Sequence, residues 1–151
     1  MKIRDCMKRN VISVVSTATI GEAAALVAAR HIGLLPVVDA NHKPVGVVGL
    51  RDLLGLCLPS FLQMIEDLDF VREFGAVETF RPSLESLSRP ITTMMRPAFT
   101  VDENCGLLRA FSVMMKHDLH DLPVTSPDGQ LAGIASRVDI GTAILSTWEK
   151  G

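Results

Sequence analysis

The sequence predicts an α/β fold: a tandem repeat of two β-α-β-β-α units forming one pseudo-twofold module, with an extra helical insertion between the repeats. Three observations predict it. The chain matches itself without a gap at a spacing of 87 residues, Met7 to Leu58 lying against Met94 to Leu145. Within each copy, short β-branched runs alternate with segments of helical spacing. Turn residues punctuate both copies at the same places. The expected limits are 1–58 for the first repeat, 59–89 for the insertion and 90–151 for the second repeat.

The internal match is carried by residues at structurally equivalent places. Arg9 meets Arg96, Val14 meets Val101, Ala23 meets Ala110, and Leu35-Pro36-Val37 meets Leu122-Pro123-Val124. Gly46 then meets Gly133 and Asp52 meets Asp139. In the first copy, Val11 to Val15 reads as a strand, and Thr19-Ile-Gly-Glu22 has the spacing of a capping box that opens a helix running to about Arg30. Ile20, Ala24, Val27 and Ala28 form its apolar face, and Leu107, Phe111, Met114 and Met115 stand at the same positions in the second copy. Small residues thus match large ones, which suits two helices packed across a pseudo-twofold axis. Leu35–Asp39 and Pro44–Val48 read as a hairpin, as do Leu122–Thr125 and Leu131–Ala135 around Pro127-Asp128-Gly129. The last helices are expected to begin near Arg51 and Val138.

Composition narrows the function classes. The 151 residues are 48% hydrophobic and 21% charged with a formal charge of -2, which leaves no broad basic footprint for nucleic acid or anionic lipid. No apolar run reaches the roughly 18 residues of a membrane span, and the first ten residues lack a signal peptide's apolar core, so a cytoplasmic protein is expected. Cys6, Cys57 and Cys105 are far apart and odd in number, which argues for reduced, mostly buried thiols. No Gly-x-Ser-x-Gly, His-Glu-x-x-His or phosphate-cradling Gly-x-x-x-x-Gly-Lys is present, and no catalytic residue is assigned. His117 and His120 are spaced to share a helix face around a metal, but the chain is expected to leave its helix there, so no metal is assigned either.

Met7-Lys-Arg-Asn-Val-Ile-Ser-Val, Gly33-Leu-Leu-Pro-Val-Val-Asp and Gly46-Val-Val-Gly-Leu-Arg-Asp52, with their second-copy counterparts, resemble the CBS-domain pair. In that family two such units form a pseudo-symmetric module that often binds adenine nucleotides. The resemblance covers residues 1 to 58 and 90 to 148. It implies a ligand held at Gly-x-x-Ser/Thr-x-x-Asp, hydroxyl and backbone toward phosphate and aspartate toward the ribose. The physical chemistry agrees: a helix N-terminus offers N–H donors to an anion, and a carboxylate accepts from a ribose diol. Ser136, Arg137 and Asp139 fit fully, whereas the first copy has Gly49 in place of the hydroxyl and keeps Arg51 and Asp52. By resemblance, His120 lines the phosphate region and Phe99, Thr100, Leu122 and Pro123 contact the adenine. Asp121, beside His120, would repel phosphate if it pointed inward.

Ser136-x-x-Asp139 is also an ordinary capping pattern, so cap and ligand site are both open readings. Pro59 to Arg89 is too long and apolar for a plain linker. Phe61, Met64, Ile65, Leu68 and Val71 follow helical spacing with acidic residues between them, which fits a helix covering its own module or one that docks a partner. The expectation is a non-enzymatic, ligand-sensing regulatory module. It would be a homodimer binding an adenosine-containing nucleotide (AMP, ADP, ATP or S-adenosylmethionine) in the cleft between the repeats and signalling in trans to an unidentified effector protein. No required cofactor, nucleic acid or membrane is expected. The competing expectation is a ligand-free dimerisation scaffold.

Overall fold

The computed structural model describes residues 1–57 and 81–150. The apolar positions of the insertion from Phe61 to Val71 lie outside the described residues. A 3-10 turn (Ile3–Asp5) leads to β1 (Val14–Val15), α1 (Ile20–Arg30), β2 (Leu34–Val38), β3 (Pro44–Gly49) and α2 (Leu50–Gly55). After α3 (Leu84–Leu87) and a second 3-10 turn (Ile91–Thr93) come β4 (Val101–Asp102), α4 (Leu107–Lys116), β5 (Asp121–Thr125), β6 (Leu131–Ser136) and α5 (Arg137–Ser146). The strands form two three-stranded sheets, β1-β2-β3 and β4-β5-β6. In each the first strand runs parallel to the second, Val14 opposite Val37 and Val101 opposite Val124, and the intervening helix makes the long crossover that parallel strands require.

Local chemistry sets the helix limits. Thr19 Oγ1 accepts the Glu22 N–H at 3.1 Å and so starts α1, which ends at His31 in the left-handed region (φ 53°). α4 stops at Lys116, and Asp118 takes the matching left-handed conformation (φ 52°). The buried stripes are Ile20, Ala23 and Val27 on α1 and Leu107, Ala110 and Met114 on α4. The expected faces are therefore rotated by about one position: Ala28 and Met115 are exposed, and the i, i+3, i+7 stripe faces inward instead. β1 is also shorter than the expected Val11–Val15 strand, because only Val14 and Val15 find partners on β2.

The repeat is not in one register throughout. From β1 and β4 onward the 87-residue spacing holds, down to equivalent bonds such as Ser16 N–H to Val38 O and Glu103 N–H to Thr125 O, both 2.8 Å. The opening segments instead match at 88. Cys6 and Met94 share the same backbone angles (φ -128°, ψ -7°), Ile3 N–H bonds Cys105 O, and Ile91 N–H bonds Ala18 O. Met7 is thus the counterpart of Met95, and Lys8 of Arg96. The identities Met7/Met94 and Arg9/Arg96 masked a one-residue difference in the link to the first strand.

These bonds also show that the opening segments are exchanged, each pairing with the other repeat. Lys8 bridges Ile134, and Arg96 bridges Val47. The compact units accordingly cut across the repeats. One comprises Met1–Ser16, Pro36–Val47 and the described residues from Arg96 on; the other comprises Thr17–Leu35 and the described residues of Val48–Met95. The first is built on a core of Ile3, Met7, Met114, Leu122, Val124 and Ile140, among others. The second buries Ile20, Ala23, Val27, Leu35, Val48 and Ile91.

Candidate functional site

The junction of β6 and α5 concentrates the polar groups singled out in the sequence. Ser136 ends the strand and caps the helix. Its Oγ accepts the Asp139 N–H at 3.0 Å while Asp139 Oδ2 accepts the Ser136 N–H at 2.9 Å, a closed capping box. The Arg137 N–H donates to His120 O at 3.0 Å. Of the N–H groups that open the helix, Val138 N–H has no partner among the described residues, and neither does Asp139 Oδ1. Cap and ligand site are therefore compatible, since the cap leaves one donor and one carboxylate oxygen over.

Arg137 is already engaged. Its Nη2 lies 2.9 Å from Asp118 Oδ1, and its Nε donates to Leu119 O. The guanidinium thus ties the segment after α4 to the start of α5, which fixes His120 beside the junction. His120 itself is exposed. His117 has its imidazole stacked on Phe99, ring centroids 3.9 Å apart and planes 17° from parallel. α4 ends before it, so the helical face that would let His117 and His120 share a metal is not formed.

The sheet face beside Ser136 is set by register. In the antiparallel β5–β6 pair, Asp121 is directly opposite Ser136 and Pro123 opposite Ile134, and opposed side chains share a face. On the far side of β6, Lys8 exchanges both backbone hydrogen bonds with Ile134, 2.8 and 2.9 Å. This close approach requires Gly133, because a Cβ there would lie 2.7 Å from Lys8 O and 2.9 Å from Met7 Sδ. Burial raises the Asp121 carboxyl above its ordinary 3.8 and Asp139 adds to the shift, while His120 and Lys8 oppose it. Burial likewise raises the Cys6 thiol above 9.0, with Asp139 and Asp5 contributing.

The remaining sequence-assigned residues divide by exposure. Phe99 is 40% exposed, and Thr100 beside it is exposed. Leu122 is fully buried in the core opposite Ala135, so it can meet a ligand only through its backbone; Pro123 is buried as well. In the first repeat the Gly49 N–H donates to Asp52 Oδ2 at 2.8 Å and Leu50 N–H donates to Gly33 O at 3.0 Å, which reproduces half of the second junction. With no hydroxyl at Gly49 the other half is missing, and Arg51 is exposed. Lys8 and Cys6 are the neighbours that sequence reading missed, since their place depends on the segment exchange.

A recess of about 580 Å³ lies elsewhere, between α1 and α2, and is lined mainly by apolar groups such as Val27, Leu50, Leu53 and Leu54. It gathers no set of polar groups like that of the β6–α5 junction. Among the described residues no three His, Cys, Asp or Glu side chains converge as a metal site, and no helix is long and apolar enough to cross a membrane. Cys6, Cys57 and Cys105 are not disulfide-bonded and are half-buried rather than fully enclosed.

The doubled hairpins, the crossover helices and the two strand-to-helix junctions have a counterpart among known proteins. The sequence profile of the CBS domain matches twice, over residues 3–58 and 89–146. The chain belongs to the CBS-domain family, as a CBS pair. Over 149 residues it is 30% identical to the chloroplastic CBS domain-containing protein CBSX1 of Arabidopsis thaliana, covering 95% of this chain and 63% of that protein. The chain thus spans less than two thirds of that relative. The fold matches CBSX2 in complex with AMP, with a TM-score of 0.71 and 24% identity over 97% of both chains. It also matches the CBS pair of protein MJ0100 in complex with 5′-methylthioadenosine and S-adenosyl-L-methionine, with a TM-score of 0.69, 20% identity, and 97% and 98% of the two chains covered.

Proposed function

We propose that this CBS pair is a non-enzymatic regulatory module that senses an adenosine-containing ligand at the β6–α5 junction. The observation that carries the reading is the surplus at that junction: a Val138 N–H at a helix start and an Asp139 Oδ1 that both lack a partner among the described residues. The N–H and the positive end of the helix suit the 5′ side of a nucleoside, and the carboxylate oxygen suits its ribose hydroxyls. Exposed Phe99 supplies an aromatic face for the base. The AMP, 5′-methylthioadenosine and S-adenosyl-L-methionine complexes of similarly folded proteins support the ligand class. Gly49 makes the first repeat the weaker candidate. Ser136, Arg137, Asp139, His120, Phe99, Thr100 and the backbone of Leu122 and Pro123 form the proposed site, with Arg51 and Asp52 its incomplete twin.

Sensing would work by population shift, the ligand favouring the conformation it binds best and a partner in trans reading that preference. A homodimer is favoured by large apolar side chains left exposed on the adjacent helices α4 and α5 and just beyond them: Leu108 on α4 is 72% exposed, Val138 on α5 70%, and Trp148 in the 3-10 turn after α5 71%. The same side chains would serve the competing, ligand-free scaffold.

Thermal unfolding separates the two. A ligand that binds only the native state at one hundred times its Kd stabilises it by about 2.7 kcal/mol. A panel of AMP, ADP, ATP, 5′-methylthioadenosine and S-adenosylmethionine should include at least one that raises the midpoint. Asp139→Ala and Ser136→Ala, each compared with its own ligand-free midpoint, should abolish that rise. Silence across the panel leaves the scaffold.

A further inference from the structure

We propose that the Ser136 site selects its ligand by charge at the 5′ position: it admits an adenosine compound with a neutral or cationic 5′ substituent, a thioether or a sulfonium, and rejects nucleoside di- and triphosphates. This deepens the nucleotide reading of the β6–α5 junction and rests on it. Asp121 is the residue directly across from Ser136 in an antiparallel pair, so the two side chains rise from the same face with Cβ atoms about 4.5–5.5 Å apart. Whatever Ser136 presents to the 5′ end of a ligand, Asp121 presents a carboxylate beside it.

The charges around that point do not compensate. A helix start is worth about half a positive charge, which one carboxylate outweighs. Asp139, three residues beyond Ser136, adds a second carboxylate. His120 and Lys8 are the basic side chains near this face, but both already offset the Asp121 carboxylate, and Lys8 stands beside Ile134, one row of side chains further from Ser136 than Asp121 is. Arg137 is held by Asp118 and Leu119 O. A terminal phosphate adds close to two negative charges at neutral pH, and a triphosphate adds more. Burial of Asp121 strengthens the repulsion, because a half-desolvated carboxylate is poorly screened.

Calorimetric titration of the wild-type chain with 5′-methylthioadenosine, S-adenosylmethionine, AMP and ATP tests the ranking without any variant. The thioether and the sulfonium should bind at least about tenfold more tightly than ATP, with AMP between. Raising the salt should narrow the gap by screening, and should leave the uncharged thioether unaffected. Asp121→Asn should strengthen ATP binding by about tenfold and change thioether binding less than about threefold. If ATP binds the wild-type chain as tightly as the thioether, or Asp121→Asn leaves the order unchanged, the selectivity is wrong even though nucleotide binding stands. If none of the compounds binds, or binding survives Asp139→Ala intact, the site itself is wrong and the selectivity falls with it.

Discussion

At neutral pH Asp121 sits where its charge is penalised, first by burial and then by Asp139. Its folded-state pKa is raised, so the native state holds this proton more tightly than the unfolded chain does. The penalty is therefore complete above the folded pKa and is relieved as the pH falls through it toward 3.8. Asp121→Asn should raise the melting midpoint at pH 7, and the gain should shrink on acidification. Unfolding curves between pH 4 and 8 check this; a variant less stable at pH 7 would mean that Lys8 more than compensates the carboxylate. His42 is a second residue under local strain, in the left-handed region (φ 62°) where the second repeat has Gly129 (φ 84°). His42→Gly should stabilise by ~0.5–1 kcal/mol in denaturant titrations, the relief of strain exceeding the entropy cost of glycine. Which residues face a ligand was only partly legible. Ser136 and Asp139 announce themselves by spacing, whereas Leu122 looks available in the motif and is fully buried, because burial depends on which strand face meets the core.

At the scale of elements, the helices and hairpins were readable because their ends are marked by local chemistry: Thr19 and Ser136 as caps, Gly129 in a turn, left-handed residues after α1 and α4. What local chemistry does not encode is which element an opening segment will pair with. Lys8 lies against Ile134, more than a hundred residues away in sequence, and the only trace is Gly133, kept bare so that the Met7–Lys8 backbone can pass. Gly133→Ala should cost about 1–3 kcal/mol, since it forces a Cβ onto a carbonyl oxygen that cannot move without breaking the Lys8–Ile134 bonds. Hydrogen exchange in that variant should show the amides of Lys8 and Ile134 losing protection before those of β5. Equal loss across the sheet would mean that the segment is not a separate clamp. The one-residue slip between the opening segments has the same origin: identity matches residues, whereas hydrogen bonds match positions.

At the scale of the molecule, the doubled fold carries two strand-to-helix junctions of unequal quality, and exposed apolar side chains on α4 and α5. If the proposed homodimer forms through these helices, Leu108→Glu combined with Val138→Glu should halve the mass in light scattering while leaving the circular dichroism of the folded chain unchanged, because both side chains are largely exposed in the single chain. An unchanged mass would assign these side chains to another partner. The central claim is that the complete junction, not the incomplete one, is the sensing site. Amide NMR of the uniformly labelled protein, titrated with 5′-methylthioadenosine, tests it most directly. Val138, Asp139, Phe99 and Thr100 should shift first and saturate together, with Gly49 to Asp52 lagging or still. Shifts led by Gly49 to Asp52 or by the recess between α1 and α2, or no shifts at all, would contradict it.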